Sequence, residues 1–191
     1  MKKNVMWNAI GSMFNSFNSL FFLVLVTRIN GVEAAGLFTF AFSTACLFYV
    51  IGTYSGRIFQ VTDTDKSNDV NYFYSKIITC FIMIVTTVLF CILRGYSIDK
   101  FIIIFILCIF KMLEAFSESL YAIMQRNELL YKVGFSMFIK SLLSILLFFI
   151  YNFFSKDLTI SSLLIVISNL IIIIFYDVPC VRKCNFKLSK F

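Results

Sequence analysis

The sequence predicts an all-α polytopic membrane protein in which six transmembrane helices form one bundle. Hydrophobic residues make up 60% of the 191 residues and charged residues only 14%, whereas a soluble domain has about 45–50% apolar and about 25% charged residues. The mean hydropathy is +0.91. A helix needs about 20 apolar residues to cross the hydrocarbon core, and six stretches of the chain meet this requirement. They cover residues 8–27, 34–54, 77–93, 101–124, 133–154 and 158–176.

The first predicted helix follows Lys2 and Lys3, as the apolar region of a signal peptide would. However, Asn8, Asn15 and Asn18 interrupt its apolar run, and no A-x-A-like cleavage site follows. We therefore expect an uncleaved membrane helix. The later connections are short apart from residues 55–76, and no Gly/Ser-rich linker divides the chain. The sequence thus predicts a single domain over residues 1–191.

The positions of the basic residues predict the orientation of the bundle. If successive loops alternate between the two sides of the membrane, eleven of the 17 Lys and Arg residues lie on the side of the N-terminus and four on the other. Cytoplasmic loops carry an excess of Lys and Arg, so we expect both termini in the cytoplasm. The net charge of +7 then reflects topology and affinity for anionic membrane lipid, and we expect no nucleic acid partner. The larger group is Lys2, Lys3, Arg57, Lys66, Lys76, Arg126, Lys132, Arg182, Lys183, Lys187 and Lys190, and the smaller is Arg28, Arg94, Lys100 and Lys156.

Several signatures of enzymatic sites are missing from the sequence. It contains no His, which excludes Ser-His-Asp triads and the usual acid or base near neutral pH. No G-x-x-x-x-G-K-[ST] nucleotide-binding loop occurs. The acidic cluster Asp63, Asp65 and Asp69 lacks the Gly and the closing Glu of a calcium loop, so we interpret it as a solvated connector. We therefore expect no enzymatic activity, no cofactor and no metal site.

Three charged residues lie where the fourth predicted helix crosses the membrane. Lys111, Glu114 and Glu118 fall within about 60° of one another on a helix of 3.6 residues per turn. A charge at bilayer depth costs about 2.5 to 3.5 kcal/mol, so each needs a partner. Lys111 and Glu114 are spaced to pair directly. Lys140 of the fifth helix offers a donor to Glu118, or a lone cation to an anionic substrate. Structural ion pairs and the lining of an aqueous cavity are both open interpretations.

The first predicted helix carries a stripe of amides and hydroxyls. Asn4, Asn8, Ser12, Asn15 and Ser19 recur at steps of three or four residues and so share one helix face. Hydrogen bonds between helices in lipid are worth about 0.6–2 kcal/mol each. The stripe therefore predicts either contacts that hold two helices together or the polar wall of a cavity.

Several segments together resemble one family of membrane proteins. They are NVMWNAIGSMFNSFNS (4–19), TRINGVEAAGLFTFAF (27–42), IGTYSGRIFQVTD (51–63), KIITC (76–80) and KMLEAFSESLYAIMQRN (111–127). In this order they resemble the N-terminal half of bacterial polysaccharide-biosynthesis membrane proteins. These are the oligosaccharide flippases, of O-antigen or capsule type, of the multidrug/oligosaccharidyl-lipid/polysaccharide exporter superfamily. The T-R-[IL]-x-G-x-E-x-A-G-x-F and G-x-[RS]-x-[FY]-Q-V-[ST]-D patterns are the most specific.

The resemblance implies a transporter in the bacterial cytoplasmic (inner) membrane. It would move undecaprenyl-pyrophosphate-linked oligosaccharide across that membrane for surface polysaccharide synthesis, by alternating access between two six-helix bundles that face a central cavity. The resemblance also implies that basic residues hold the pyrophosphate. Arg28 and Arg57 occupy the matching motif positions, although snorkelling to lipid headgroups is the default for such helix ends. The full set of cavity candidates is Asn8, Asn15, Arg28, Arg57, Lys111, Glu114, Glu118 and Lys140.

Six helices are only half of what this family needs. The chain is therefore expected to be a truncated gene product, a half-transporter that pairs with itself or with a second six-helix half, or a protein that has lost transport. Parallel repeats make a half-size dimer geometrically feasible. Two alternative functions stay open: half of a multidrug exporter coupled to Na⁺ or H⁺ through Glu114 or Glu118, and a non-transporting membrane protein.

Overall fold

The computed structural model describes residues 2–65 and 69–184, apart from the side chains of residues 2 and 3. Within these ranges the chain is almost entirely helical and contains no strand. Three of the basic residues that predict the orientation lie outside the described residues: Lys66, Lys187 and Lys190. The helices are α1 (Lys2–Asn30), α2 (Val32–Thr53), α3 (Gly56–Thr62), α4 (Asp69–Leu93), α5 (Ile98–Arg126), α6 (Leu130–Ser155), α7 (Leu158–Ile172) and α8 (Val178–Arg182), with a π-helical turn (Ile173–Asp177) between α7 and α8.

The architecture is an all-α polytopic membrane bundle, which confirms the predicted fold class. Within the described ranges, five segments are long and apolar enough to cross a membrane. α5, which contains the fourth predicted span, is not one of the five, and its middle carries Lys111, Glu114 and Glu118. It has 29 residues and lies at the centre, where it contacts α2, α3, α4, α6 and α7. Large apolar side chains such as Phe81, Leu93 and Phe175 cover the outside of the bundle. The five segments are Asn4–Asn30, Val32–Thr62, Asp69–Leu93, Leu130–Ser155 and Leu158–Arg182.

Most helices extend beyond the boundaries predicted from hydropathy, and the extensions of α4 and of the last helix bring polar residues into the bundle. The predicted connection 55–76 is largely helical, because it contains α3 and the first two turns of α4. Those turns form because their polar residues find partners inside the bundle, and both Asp69 and Lys76 are buried. Lys76, expected in a cytoplasmic loop, is therefore an interior helix residue. The last helix likewise continues past residue 176 to Arg182, with Pro179 in the first turn of α8, where its missing N–H costs little.

A sharp break between α2 and α3 brings α3 against α5. Tyr54 and Ser55 both adopt the left-handed conformation, with φ of 36° and 58°. The Lys76 ammonium lies against the break and donates to the carbonyl oxygens of Gly52 and Thr53 at 2.9 and 3.1 Å. These carbonyls end α2 and have no partner within the helix. The buried lysine thus stabilises the break and so fixes the position of α3.

Apolar packing divides the interior into two clusters along α5. The first contains Ile104 and Leu107 and lies toward the end opposite to the chain termini. The second contains Leu120 and Met124 and lies toward the termini. The section of α5 between these clusters, Lys111 to Glu118, carries the charged side chains. The fold therefore places a polar layer between two apolar ones.

α1 and α6 cross at backbone contact distance. A Cβ atom on Gly11 would lie 2.0 Å from the carbonyl oxygen of Gly134, and one on Gly134 would lie 2.1 Å from the carbonyl oxygen of Trp7. Only glycine fits at either position without moving a backbone. This close approach brings Asn15 of α1 next to Ser141 of α6.

We predict that Gly134→Ala destabilises the bundle although alanine is the better helix former. Moving α1 away from the new methyl group is expected to lower the free energy of unfolding by about 1–3 kcal/mol. Gly36→Ala is the matched control, because no atom lies within 4 Å of a Cβ atom placed on that helical glycine. Thermal unfolding in detergent compares the two variants, and equal stability would contradict the close crossing.

Candidate functional site

The charged side chains in the middle of α5 lie on one face of that helix. Neighbouring helices supply partners to this face, which we call the α5 stripe. Its members on α5 are Lys111, Glu114, Glu118, Tyr121 and Gln125. The stripe contains two ion pairs, and a third lies beside it.

The first pair joins Lys111 and Glu114 and confirms the pairing predicted from their spacing. The Lys111 ammonium lies 2.7 Å from Glu114 Oε2, and the two side chains are 13% and 16% exposed. Asn15 of α1 donates to Glu114 Oε1 at 2.6 Å. The ammonium also lies 5.0 Å from the ring centre of Phe42 and 5.2 Å from that of Tyr49, within the range of a cation–π interaction. Side chains of α1 and α2 therefore hold both charges.

The second pair joins Arg57 of α3 to Glu118. Arg57 Nη1 lies 3.4 and 3.5 Å from the two carboxylate oxygens, and both side chains are 20% exposed. Arg57 also donates to Gln125 Oε1 from Nε at 3.3 Å and from Nη2 at 3.0 Å. Its guanidinium lies 5.7 Å from the ring centre of Tyr121. Arg57 therefore faces the bundle interior in this structure, rather than the headgroups to which it would snorkel.

The third pair shows that the predicted contact between Glu118 and Lys140 is wrong. Lys140 of α6 instead contacts Asp177 of the π-helical turn at 2.5 Å, with the two side chains 7% and 0% exposed. It also donates to Ser117 Oγ at 2.8 Å and to Tyr121 Oη at 2.9 Å. Three acceptors therefore surround an ammonium that has three protons to donate. Arg57 takes the place at Glu118 because the α2–α3 break carries it to α5.

A pair of hydrogen bonds completes the Asp177 site. Ser136 donates to Asp177 Oδ1 at 2.6 Å, and the Ser136 and Tyr121 hydroxyls lie 3.0 Å apart. Asp177 closes the π-helical turn, a type of backbone irregularity that often occurs at functional sites. The turn is thus tied to α5 and α6 by charge and by hydrogen bonds.

Each of the three pairs joins one cation and one carboxylate, and the pairs differ in their access to solvent. The pairing matters because an uncompensated charge at this depth is costly. Exposure falls from the Arg57 pair to the Lys111 pair and nearly vanishes at the Lys140 pair. The cations are Arg57, Lys111 and Lys140, and the carboxylates are Glu114, Glu118 and Asp177.

The other predicted site residues have different surroundings. Asn15 joins the α5 stripe through Glu114, whereas Asn8 Oδ1 is buried with no hydrogen-bond partner among the described groups. Asn18 Oδ1 is in the same situation. Arg28 is exposed in the last turn of α1, at the opposite end of the bundle from Arg57. The structure therefore brings Asn15, Arg57, Lys111, Glu114 and Glu118 together, places Lys140 beside them and leaves Arg28 apart.

The sequence reasoning missed Asp177 as the partner of Lys140. The signal was present, since Asp177 is a single carboxylate directly after the last apolar run. Ending the predicted helix at residue 176 hid it, because Asp177 then reads as a loop residue before Pro179. Only the π-helical turn and α8 show that this carboxylate lies inside the bundle.

A further ion pair was hidden in the acidic cluster that was interpreted as a solvated connector. Asp69 is instead buried, with Arg126 Nη1 2.6 Å from its carboxylate. Gln60 of α3 donates to the same carboxylate at 3.0 Å, and Arg126 also donates to the carbonyl oxygen of Asp63 at 2.8 Å. This network attaches α3 and the start of α4 to the end of α5.

Two cavities lie near the α2 helix. One of about 370 Å³ between α1 and α2 includes Ser19, Phe42 and Cys46 in its wall and shares Phe42 with the Lys111 site. A larger one of about 750 Å³ lies around Glu33 and Lys100 at the end opposite to the termini, and none of the predicted site residues lines it. Among residues 2–65 and 69–184, no three His, Cys, Asp or Glu side chains come together as metal ligands. The groups that the site presents are paired cations and carboxylates.

Comparison with known proteins relates this chain to polysaccharide biosynthesis. It is similar to the capsular polysaccharide biosynthesis protein CapF of Staphylococcus aureus, with 29% identity over 171 residues. The alignment covers 88% of this chain and 42% of that protein, so the chain spans less than half the length of this relative. No family model matches the chain, and no solved structure matches it.

We predict that the Lys140–Asp177 pair stabilises the bundle as a unit. Asp177→Leu leaves an unpaired ammonium in the interior, which is expected to lower the free energy of unfolding by about 3–5 kcal/mol. Adding Lys140→Met removes that charge and should recover most of the loss. Lys100→Met, at an exposed lysine, is the control for loss of a positive charge. Thermal unfolding of the purified variants measures the effect, and a double variant no more stable than Asp177→Leu would contradict the pairing.

Proposed function

We propose that this chain is the N-terminal bundle of a flippase that moves undecaprenyl-pyrophosphate-linked oligosaccharide across the bacterial cytoplasmic membrane. The observation that carries the proposal is the α5 stripe, where Arg57 and Lys111 lie inside the bundle with side chains that remain partly accessible. The similarity to a capsular polysaccharide biosynthesis protein supports a role in polysaccharide biosynthesis. We propose transport rather than catalysis as the activity.

The chemistry of such a substrate explains why cations are needed inside a membrane protein. A pyrophosphate cannot enter hydrocarbon without losing its hydration, which makes an unassisted crossing very costly. Guanidinium and ammonium groups replace water as hydrogen-bond donors, and arginine binds phosphate oxygens in a bidentate manner. Arg57 would contact the pyrophosphate, and Lys111 would provide a second positive charge along the path. Asn15 would offer its amide to the same path.

A second helical bundle would close the path on its other side. The matched relative is more than twice as long as the region it shares with this chain. We propose a second six-helix half as the partner, and a second copy of this chain as the other way to complete the cavity. In either arrangement the partner bundle covers the α5 stripe and separates it from lipid.

The multidrug exporter alternative receives less support. It requires Glu114 or Glu118 as a carboxylate that exchanges Na⁺ or H⁺. Glu114 accepts bonds from both Lys111 and Asn15, and Glu118 faces Arg57. Glu114 is therefore firmly held and Glu118 only loosely, so ion coupling would depend on Glu118. The similarity to a polysaccharide biosynthesis protein favours the flippase.

Most of the Lys and Arg residues lie in loops on the same side as the termini. Cytoplasmic loops carry such an excess, so we place both termini in the cytoplasm. Alkaline phosphatase, which folds only outside the cytoplasm, is expected to be active when fused after Gly95 and inactive when fused after Asn127. Cytoplasmic reporter fusions at the same two positions supply the control. The opposite pattern would contradict the proposed orientation.

We predict that Arg57→Gln lowers surface polysaccharide by about tenfold or more, because a hydrogen bond to a charged group contributes about 1.5–3 kcal/mol. The assay complements a strain in which the gene is deleted and measures surface polysaccharide together with its lipid-linked precursor. Lys100→Gln, at the opposite end of the bundle, is expected to complement fully. The lipid-linked precursor should accumulate in the deletion strain and with Arg57→Gln.

The same assay separates the competing functions. Loss of the lipid-linked precursor in the deletion strain would indicate a step in its synthesis and would contradict transport. Unchanged surface polysaccharide in the deletion strain would indicate a non-transporting membrane protein.

A further inference from the structure

The three cations of the site differ in how firmly their own carboxylates hold them. Lys140 is 7% exposed and is surrounded by Asp177, Ser117 and Tyr121 at 2.5 to 2.9 Å. Lys111 lies 2.7 Å from Glu114, which Asn15 also binds. These are distances of strong charge-assisted hydrogen bonds. An incoming anion would have to break such bonds to reach either lysine.

Arg57 is held differently. Its contacts with Glu118, at 3.4 and 3.5 Å, are at the long limit for a hydrogen bond. Both partners are 20% exposed, the highest value among the three pairs. The neutral amide of Gln125 holds the guanidinium in place at 3.0 and 3.3 Å. Arg57 is therefore oriented by a neutral group and only weakly engaged by its carboxylate.

We infer that Glu118 competes with the ligand for Arg57. The Glu118 carboxylate occupies the Arg57 guanidinium when no anion is bound, and a phosphate group displaces that carboxylate. The inference rests on the proposed function, since it concerns how that site sets its affinity for a pyrophosphate lipid. Gln125 keeps Arg57 in position during the exchange. Glu118 is thus a residue that tunes affinity, and Arg57 is the residue that contacts the ligand.

The exchange has a physical consequence for transport. When phosphate takes the guanidinium, the Glu118 carboxylate is left close to a second anion, and like charges in such a setting repel strongly. This repulsion lowers affinity and favours release. A carrier needs a site that binds well enough to load and weakly enough to unload, as conduction through a pore also requires. Repulsion from Glu118 weakens the binding of the phosphate and so allows unloading.

The test measures binding of farnesyl pyrophosphate to the purified full chain in lipid nanodiscs, with farnesol as the uncharged control ligand. Glu118→Gln removes the competing charge and keeps the side-chain shape, so the dissociation constant is expected to fall by about tenfold. Arg57→Gln should abolish the preference for farnesyl pyrophosphate over farnesol. The Arg57→Gln/Glu118→Gln double variant should resemble Arg57→Gln. Glu128→Gln, at an exposed glutamate near the same end of α5, is the control for loss of a negative charge.

The outcomes separate this inference from the proposed function. If wild type binds farnesyl pyrophosphate through Arg57 but Glu118→Gln binds no more tightly than Glu128→Gln, the competitor role is overturned and the flippase proposal stands. If wild type and Glu118→Gln both bind farnesyl pyrophosphate no better than farnesol, both proposals fail. Should Glu118→Gln not fold, Glu118→Asp withdraws the carboxylate by one methylene and should give a smaller gain in affinity. No gain with a folded Glu118→Asp would then overturn the inference.

Discussion

Charged side chains in hydrocarbon are tolerated only when the protein compensates them, and this constraint organises the interior of the bundle. Each isolated charge costs about 2.5 to 3.5 kcal/mol on the insertion scale, so the cations and carboxylates around α5 must find one another. Glu114 pairs with Lys111 of the same helix, α5. Glu118 pairs with Arg57, which α3 supplies, and Lys140 pairs with Asp177, which the π-helical turn supplies. The broken and irregular parts of the backbone thus occur where they deliver a counter-charge.

The same constraint connects local backbone geometry to the proposed activity. The left-handed residues Tyr54 and Ser55 turn the chain so that α3 meets α5, and the buried Lys76 satisfies the carbonyls that the break exposes. Without this break, Arg57 would continue along the axis of α2 toward the membrane surface. The ion pairs therefore range from the buried Lys140 pair to the more exposed and loosely held Arg57 pair. We expect the Lys140 pair to contribute more to stability, and the proposed ligand exchange takes place at the Arg57 pair.

Hydropathy and spacing were sufficient for the fold class and for the pairing of Lys111 with Glu114, because both depend on residues close in sequence. They were insufficient for the partners of Glu118 and Lys140. Those partners come from α3 and from the π-helical turn, two irregular elements whose positions depend on tertiary contacts. A long apolar run predicts a span, but it does not show where polar residues such as Asp69, Lys76 and Asp177 extend a helix by pairing inside the bundle. The resemblance to polysaccharide-biosynthesis membrane proteins came from short motifs, and the match to CapF supports that relation.

We propose that the α5 stripe faces a water-filled path. Single cysteines placed along α5 in a background without the six native cysteines test it through reaction with a membrane-impermeant thiol reagent. We expect cysteines at Glu114, Glu118 and Gln125 to react, and cysteines at Ile104 and Leu107, which lie in the apolar cluster, to stay unmodified. Reactivity at Glu114, Glu118 and Gln125 no higher than at Ile104 and Leu107 would show that the stripe is dry. It would then be a set of structural ion pairs rather than part of a transport path.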